Sequence, residues 1–137
     1  KAFSEYALCE LKEKCHRAAW SSATKKAAFE RKKTVLQFTR YACHYQSWFH
    51  SESWELSDDS RNLLLGLAHF ETGSLSVIPG GLSEVIRSYR LEASQFSFPN
   101  CAKVQSLKLF KNGRMDIRFT NESHAVLFVE DYLGTVY

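Results

Sequence analysis

Three features of the chain predict an α+β fold. Lys103–Gly134 alternates like a strand pair about an Asn-Gly turn and then changes to helical spacing. Before Gly73, apolar side chains recur mostly three and four residues apart, and between them Ser57–Ala102 is punctuated by Pro79-Gly80-Gly81 and Pro99-Asn100. The expected architecture is an N-terminal helical hairpin with a core helix, then a small antiparallel sheet covered by helices. At 137 residues it reads as one domain, 1–137, with a helical subregion 1–73 and a mixed subregion 74–137.

In chain order, Phe3–Trp20 is an expected amphipathic helix, with Phe3, Ala7, Leu11, Cys15 and Ala18 on one stripe. Ser21-Ser22 breaks it, and a second helix is expected from Ala23 to His50, with Val35, Phe38, Ala42, Tyr45 and Phe49 on its stripe. So short a connection predicts an antiparallel helical hairpin. Ser57-Asp58-Asp59 starts a third helix, Ser60–Phe70, which is apolar on most sides and ends at Gly73. The paired carboxylates there suit the positive end of the helix dipole. Leu75–Ile78 is a strand candidate, Ser83 caps a helix reaching Leu91, and Gln95–Phe98 is a further strand candidate.

Val104–Phe110 and Arg114–Phe119 flank Lys111-Asn112-Gly113. A three-residue loop with Gly113 at positive φ pairs Phe110 with Arg114, Leu109 with Met115, Leu107 with Ile117 and Gln105 with Phe119. One face is then Leu107, Leu109, Met115, Ile117 and Phe119; the other sets Lys108 opposite Asp116 and Ser106 opposite Arg118. A two-residue loop would mix polar and apolar groups on each face, so the longer loop is expected. Thr120 or Asn121 caps the last helix, Gly134 closes it, and Ala125, Val126, Val129, Tyr132 and Leu133 form the stripe that covers the hairpin.

From Leu75 onward the order is strand, helix, strand, strand, helix. Together with Gly113-Arg114-Met115-Asp116-Ile117-Arg118-Phe119 and the helix ending at Leu133-Gly134, it resembles the ferredoxin-like βαββαβ arrangement, of which the RNA-recognition motif is one example. The resemblance implies a topology. It does not carry over that family's base-stacking site, because the outward positions Arg114, Asp116 and Arg118 hold no ring.

A net charge of +3 is small but unevenly placed. Between Ser21 and His50, six basic residues face Glu30 alone, while Ser57–Ala102 is net −2. Lys25, Lys26, Lys32, Lys33 and Arg40 form one candidate phosphate-binding surface, and Lys108, Lys111, Arg114 and Arg118 form another. Phe29 and Leu36 lie within the first, and Trp54, in a polar run, is the best candidate for an exposed aromatic contact. Nucleic acid or an acidic protein partner is therefore expected, with no cofactor and no membrane, since no run of about 18 apolar residues exists.

Catalytic signatures are absent: no phosphate-cradling glycine motif, no serine elbow, no zinc-binding histidine pair. An enzyme using Cys43 with a histidine from another element is the residual alternative. Cys15-His16 and Cys43-His44 each diverge around a helix, which disfavours zinc. Cys9, Cys15, Cys43 and Cys101 read as reduced thiols rather than a disulfide framework, which points to an intracellular setting. Starting at Lys1 rather than Met, the chain reads as a processed or excised segment.

Overall fold

The computed structural model describes residues 2–19, 29–38, 42–49, 51–74, 78–88 and 90–133. In order they form α1 (Ala2–Ala19), β1 (Phe29–Lys32), β2 (Val35–Phe38), β3 (Cys43–Trp48), β4 (Ser51–Leu56), α2 (Asp58–Thr72), α3 (Leu82–Arg87), β5 (Gln95–Ser97), β6 (Val104–Leu109), β7 (Met115–Phe119) and α4 (Glu122–Phe128). The last helix continues as a π-helical turn, Val129–Leu133. The α+β class is as expected: β1-β2-β7-β6-β5 make a five-stranded sheet, and β3-β4 a separate two-stranded one.

Every strand pair in both sheets is antiparallel. Among the described residues the larger sheet is a β5-β6-β7 meander extended by β2 and β1, so the place beside β7 that the ferredoxin-like order would give to the strand before α3 is taken by β2. Of the expected strand Leu75–Ile78, residues 75–77 lie outside the described residues, and Ile78 is not in a strand.

The largest correction falls on the expected helix Ala23–His50. Residues 23–28, 39–41 and 50 lie outside the described residues, and those described between Phe29 and Trp48 form three strands instead. The spacing of Val35, Phe38, Ala42, Tyr45 and Phe49 imitates a helical stripe, but Leu36 and Phe38 alternate into the core, opposite Ile117 and Met115 of β7. Pairing with an already apolar central strand outweighs a helical period, and the β-branched and aromatic composition agrees with it. Two-residue turns close both new hairpins. Lys33 (φ 55°) and Phe49 (φ 57°) take the left-handed conformation that such turns require, and Arg31 Nη1 donates to the Lys33 carbonyl at 3.1 Å.

The β6–β7 hairpin keeps the expected register at Leu109–Met115, Lys108–Asp116, Leu107–Ile117 and Ser106–Arg118. Gly113 has φ 92°, and Phe110 N–H donates to the Arg114 carbonyl. One pair differs: a bulge between Val104 and Ser106 sets Val104, not Gln105, opposite Phe119. The shift buries Val104 fully and leaves the Gln105 carbonyl to accept from Phe98 N–H.

The caps of α2 and the start of α4 act as the sequence implies, and Gly134 lies outside the described residues. The Ser57 hydroxyl accepts from Ser60 N–H, Gly73 closes α2 at φ 73°, and Asn121 accepts from His124 N–H. Ser83 does not cap α3, because Gly81 at φ 88° precedes Leu82. That helix stops at Arg87, and Leu91 instead exchanges two backbone bonds with Trp54. The π-helical turn swings Tyr132 and Leu133 inward, so Ala125, Phe128, Tyr132 and Leu133 are buried, whereas Val126 and Val129 are only half-buried.

Helices close one face of the larger sheet. Phe70 of α2 meets Phe119, His124, Phe128 and Tyr132 edge-on, at centroid distances of 5.6–6.2 Å. α1 packs on α2 and the π-helical turn. The crossing of α1 over α2 is close at Gly66: a Cβ placed there would stand 2.6 Å from Cys15 Sγ. Gly66→Ala, which raises helix propensity, should therefore destabilise by about 1–3 kcal/mol in urea unfolding. Combining it with Cys15→Ala should cost less than the two single changes added together. A more stable Gly66→Ala protein would contradict this packing.

Candidate nucleic-acid interface

The site is set by the parity of β7. Met115, Ile117 and Phe119 point into the core, so Asp116 and Arg118 point to the other side. Residues directly opposite in neighbouring strands share a face, so the open side can be read across the sheet. One row is Glu30, Gln37, Asp116, Lys108 and Gln95; the next is Lys32, Val35, Arg118, Ser106 and Ser97. Lys32, Lys108 and Arg118 are exposed on it. One cation of the first sequence cluster, Lys32, and two of the second, Lys108 and Arg118, thus share one surface.

Not all the charge there is equally available. Arg114 Nε lies 3.1 Å from Asp116 Oδ1, and Nη2 lies 3.4 Å from Oδ2. The Nε contact is a close ion pair whose angle is poor for a hydrogen bond. The same guanidinium sits 4.0 Å from the Phe110 ring centroid, and Lys108 Nζ sits 5.1 Å from it. Lys111, in the turn, pairs with Glu52 of β4 at 3.0 Å and lies over Tyr45, whose hydroxyl donates to the same carboxylate. Those bonds hold the Glu52 carboxyl below its ordinary range and raise Lys111. Lys111 therefore ties the smaller sheet to the larger one. Lys33, exposed in the β1–β2 turn, stands at the rim.

Three basic candidates, Lys25, Lys26 and Arg40, lie outside the described residues. Of the three aromatic or apolar contact candidates, Leu36 and Trp54 are corrected to buried core residues, and Phe29 is half-buried. Leu36 is fully buried, Trp54 is 4% exposed with its ring 5.1 Å from Tyr45, and Phe29 packs against Phe38 at 5.8 Å. Each belongs to a strand whose alternation turns it inward, which a helical or loop reading of those stretches hides. The helical reading of residues 23–50 also hides Glu30 and Gln37, which complete the open face together with Gln95 and Ser97 of the expected strand at 95–98. Among the described residues the exposed aromatics are Phe49, 86% accessible at the β3–β4 tip, and Tyr6 of α1.

Cys43 is buried, with Sγ donating to the Phe110 and Arg114 carbonyls at 3.7 Å. Burial raises its thiol, and lifts that of Cys15 to about 12, which opposes thiolate chemistry. All four cysteines are unpaired. Among the described residues no three His, Cys, Asp or Glu side chains gather as a metal site requires. A cavity of about 660 Å³ between α1 and the π-helical turn is lined by Leu8, Cys9, Lys12, His16, Asp131 and Tyr132 among others. Its Lys12 is paired with Asp131 at 3.1 Å. No helix among the described residues is long and apolar enough to cross a membrane. Comparison with family models, curated proteins and solved structures found no match.

His69 Nδ1 is hydrogen-bonded to the Tyr132 hydroxyl. Burial, helped by nearby Lys12 and opposed by Asp131, holds the imidazole below its ordinary 6.5, and burial raises the phenol to about 12. Both partners are thus kept neutral, as a structural bond requires. Because the folded-state pKa is depressed, the unfolded chain binds the proton more readily, and stability is lost as pH falls from 6.5 toward the folded value. His69→Gln should flatten the decline in urea midpoint between about pH 7 and about pH 5. Parallel pH profiles for the two proteins would contradict this assignment.

Proposed function

We propose that this chain is a non-catalytic binding module that holds nucleic acid, RNA or DNA, on the open face of its five-stranded sheet, as part of a larger protein or complex. The observation that carries the reading is the convergence of exposed Lys32, Lys108 and Arg118, from three different strands, on one face. Long cationic side chains rising from a rigid sheet reach phosphates at little ordering cost to the backbone, and counterion release supplies the affinity. Four unpaired cysteines agree with an intracellular setting.

A protein-interaction module is the second reading, and Phe49, exposed on the tip of the β3–β4 hairpin, is the observation that favours it. Of the anchors expected for it from the sequence, Leu36 and Trp54 lie in the core, and Phe29 is half-buried against it.

Salt separates the two. Lys32→Glu combined with Arg118→Glu should weaken binding of a mixed-sequence oligonucleotide by about tenfold or more. The slope of log affinity against log salt should flatten by about one to two. The fold should persist, since exposed changes cost within about half a kcal/mol each. Unchanged affinity and slope, in a protein whose melting curve is intact, would overturn the nucleic-acid reading and leave the hairpin tip as the surface to pursue.

A further inference from the structure

We infer that the ligand on this face is gripped by its sugar-phosphate backbone alone, with its bases taking no part in affinity. The inference rests on the nucleic-acid reading above and goes on to name which part of the polymer is recognised.

Sequence-tolerant binding of a single strand ordinarily combines a cationic track with rings on which bases stack. The open face supplies the track without the rings. Its two rows hold Glu30, Lys32, Val35, Gln37, Gln95, Ser97, Ser106, Lys108, Asp116 and Arg118, among which there is no aromatic side chain. Phe110 is the one ring that the described residues add at the turn end, paired with Arg114. It is already engaged by two cations, the Arg114 guanidinium at 4.0 Å and Lys108 Nζ at 5.1 Å. A base stacking there would displace a guanidinium that Asp116 also holds.

The spacing of the cations suits a backbone. Lys32 and Arg118 stand two strands apart, which is about 10 Å, and Lys108 lies diagonally from Arg118 at about 7–8 Å. These three cations cross the strands in a band over β1, β7 and β6, so an extended chain of phosphates can run across the sheet and meet them in turn. Without a platform to fix the base planes, Gln37, Gln95 and the two serines have no defined base edge to read. The exposed rings among the described residues, Phe49 and Tyr6, belong to the β3–β4 hairpin and to α1 rather than to this face.

Fluorescence anisotropy with two labelled probes of equal length and charge tests the inference: a mixed-sequence oligodeoxynucleotide and its fully abasic counterpart. The abasic strand should bind within about twofold of the mixed one, because no stacking is lost, and Phe110→Leu should leave both affinities alike. An abasic strand weaker by about fivefold or more, while the mixed strand binds, would overturn backbone-only recognition and leave the nucleic-acid reading standing. A loss caused by Phe110→Leu or Phe49→Ser that is confined to the mixed strand would overturn it too, by assigning stacking to that ring. Failure of both probes to bind at low salt would overturn the nucleic-acid reading and this inference together.

Discussion

The alternation of β7 is the constraint on which the rest depends. Met115, Ile117 and Phe119 are almost wholly removed from water, and Asp116 and Arg118 stand between them on the opposite side. β7 is the middle of the five strands, hydrogen-bonded to β2 on one side and β6 on the other. Its parity therefore dictates that of both neighbours: Leu36 and Phe38 must turn inward with it, as must Leu107 and Leu109. A slip of one residue would expose this whole apolar set to water, at a cost of roughly 1.5–3 kcal/mol for each large side chain.

Burial of one face leaves the other exposed. Phe70 brings α2, α4 and the π-helical turn against Phe119, and α1 packs behind α2 and that turn, at Gly66 and Cys15. The aromatic cluster thus gathers helices on the core side of the sheet. The same arrangement explains why Lys111 behaves unlike the other hairpin cations. It sits at the edge, where β3 and β4 are tied to the β6–β7 turn through Gly113 and Glu52, and its charge is spent holding that junction.

The fold is legible in the sequence wherever local and long-range preferences agree. In Val104–Phe119 the turn chemistry of Lys111-Asn112-Gly113 and the alternation of apolar side chains favour one register, and the structure keeps it except at the Val104 bulge. Helix α2 is legible for a similar reason, its Ser57 cap and Gly73 stop bracketing an apolar run. Residues 29–48 are not, because Val35, Phe38, Ala42, Tyr45 and Phe49 fall near a helical period by coincidence while the strand period is carried by Leu36 and Phe38 alone. The false period reaches the site as well. Lys32 reads as a surface cation on a helix, which hides its meeting with Arg118 through Val35 of β2. Trp54 reads as a loop residue because its neighbours are polar, although alternation in Ser51–Leu56 buries it with Leu56.

The most direct test of the account is to map the bound surface residue by residue, by titrating an oligonucleotide into isotope-labelled protein and tracking backbone amide shifts. If the open face is the site, the largest changes will fall on Lys32, Gln37, Ser106, Lys108, Asp116 and Arg118, with α1 and the β3–β4 hairpin nearly silent. Changes concentrated on the hairpin tip around Phe49, or along Lys12, His16 and Asp131 beside α1, would contradict it.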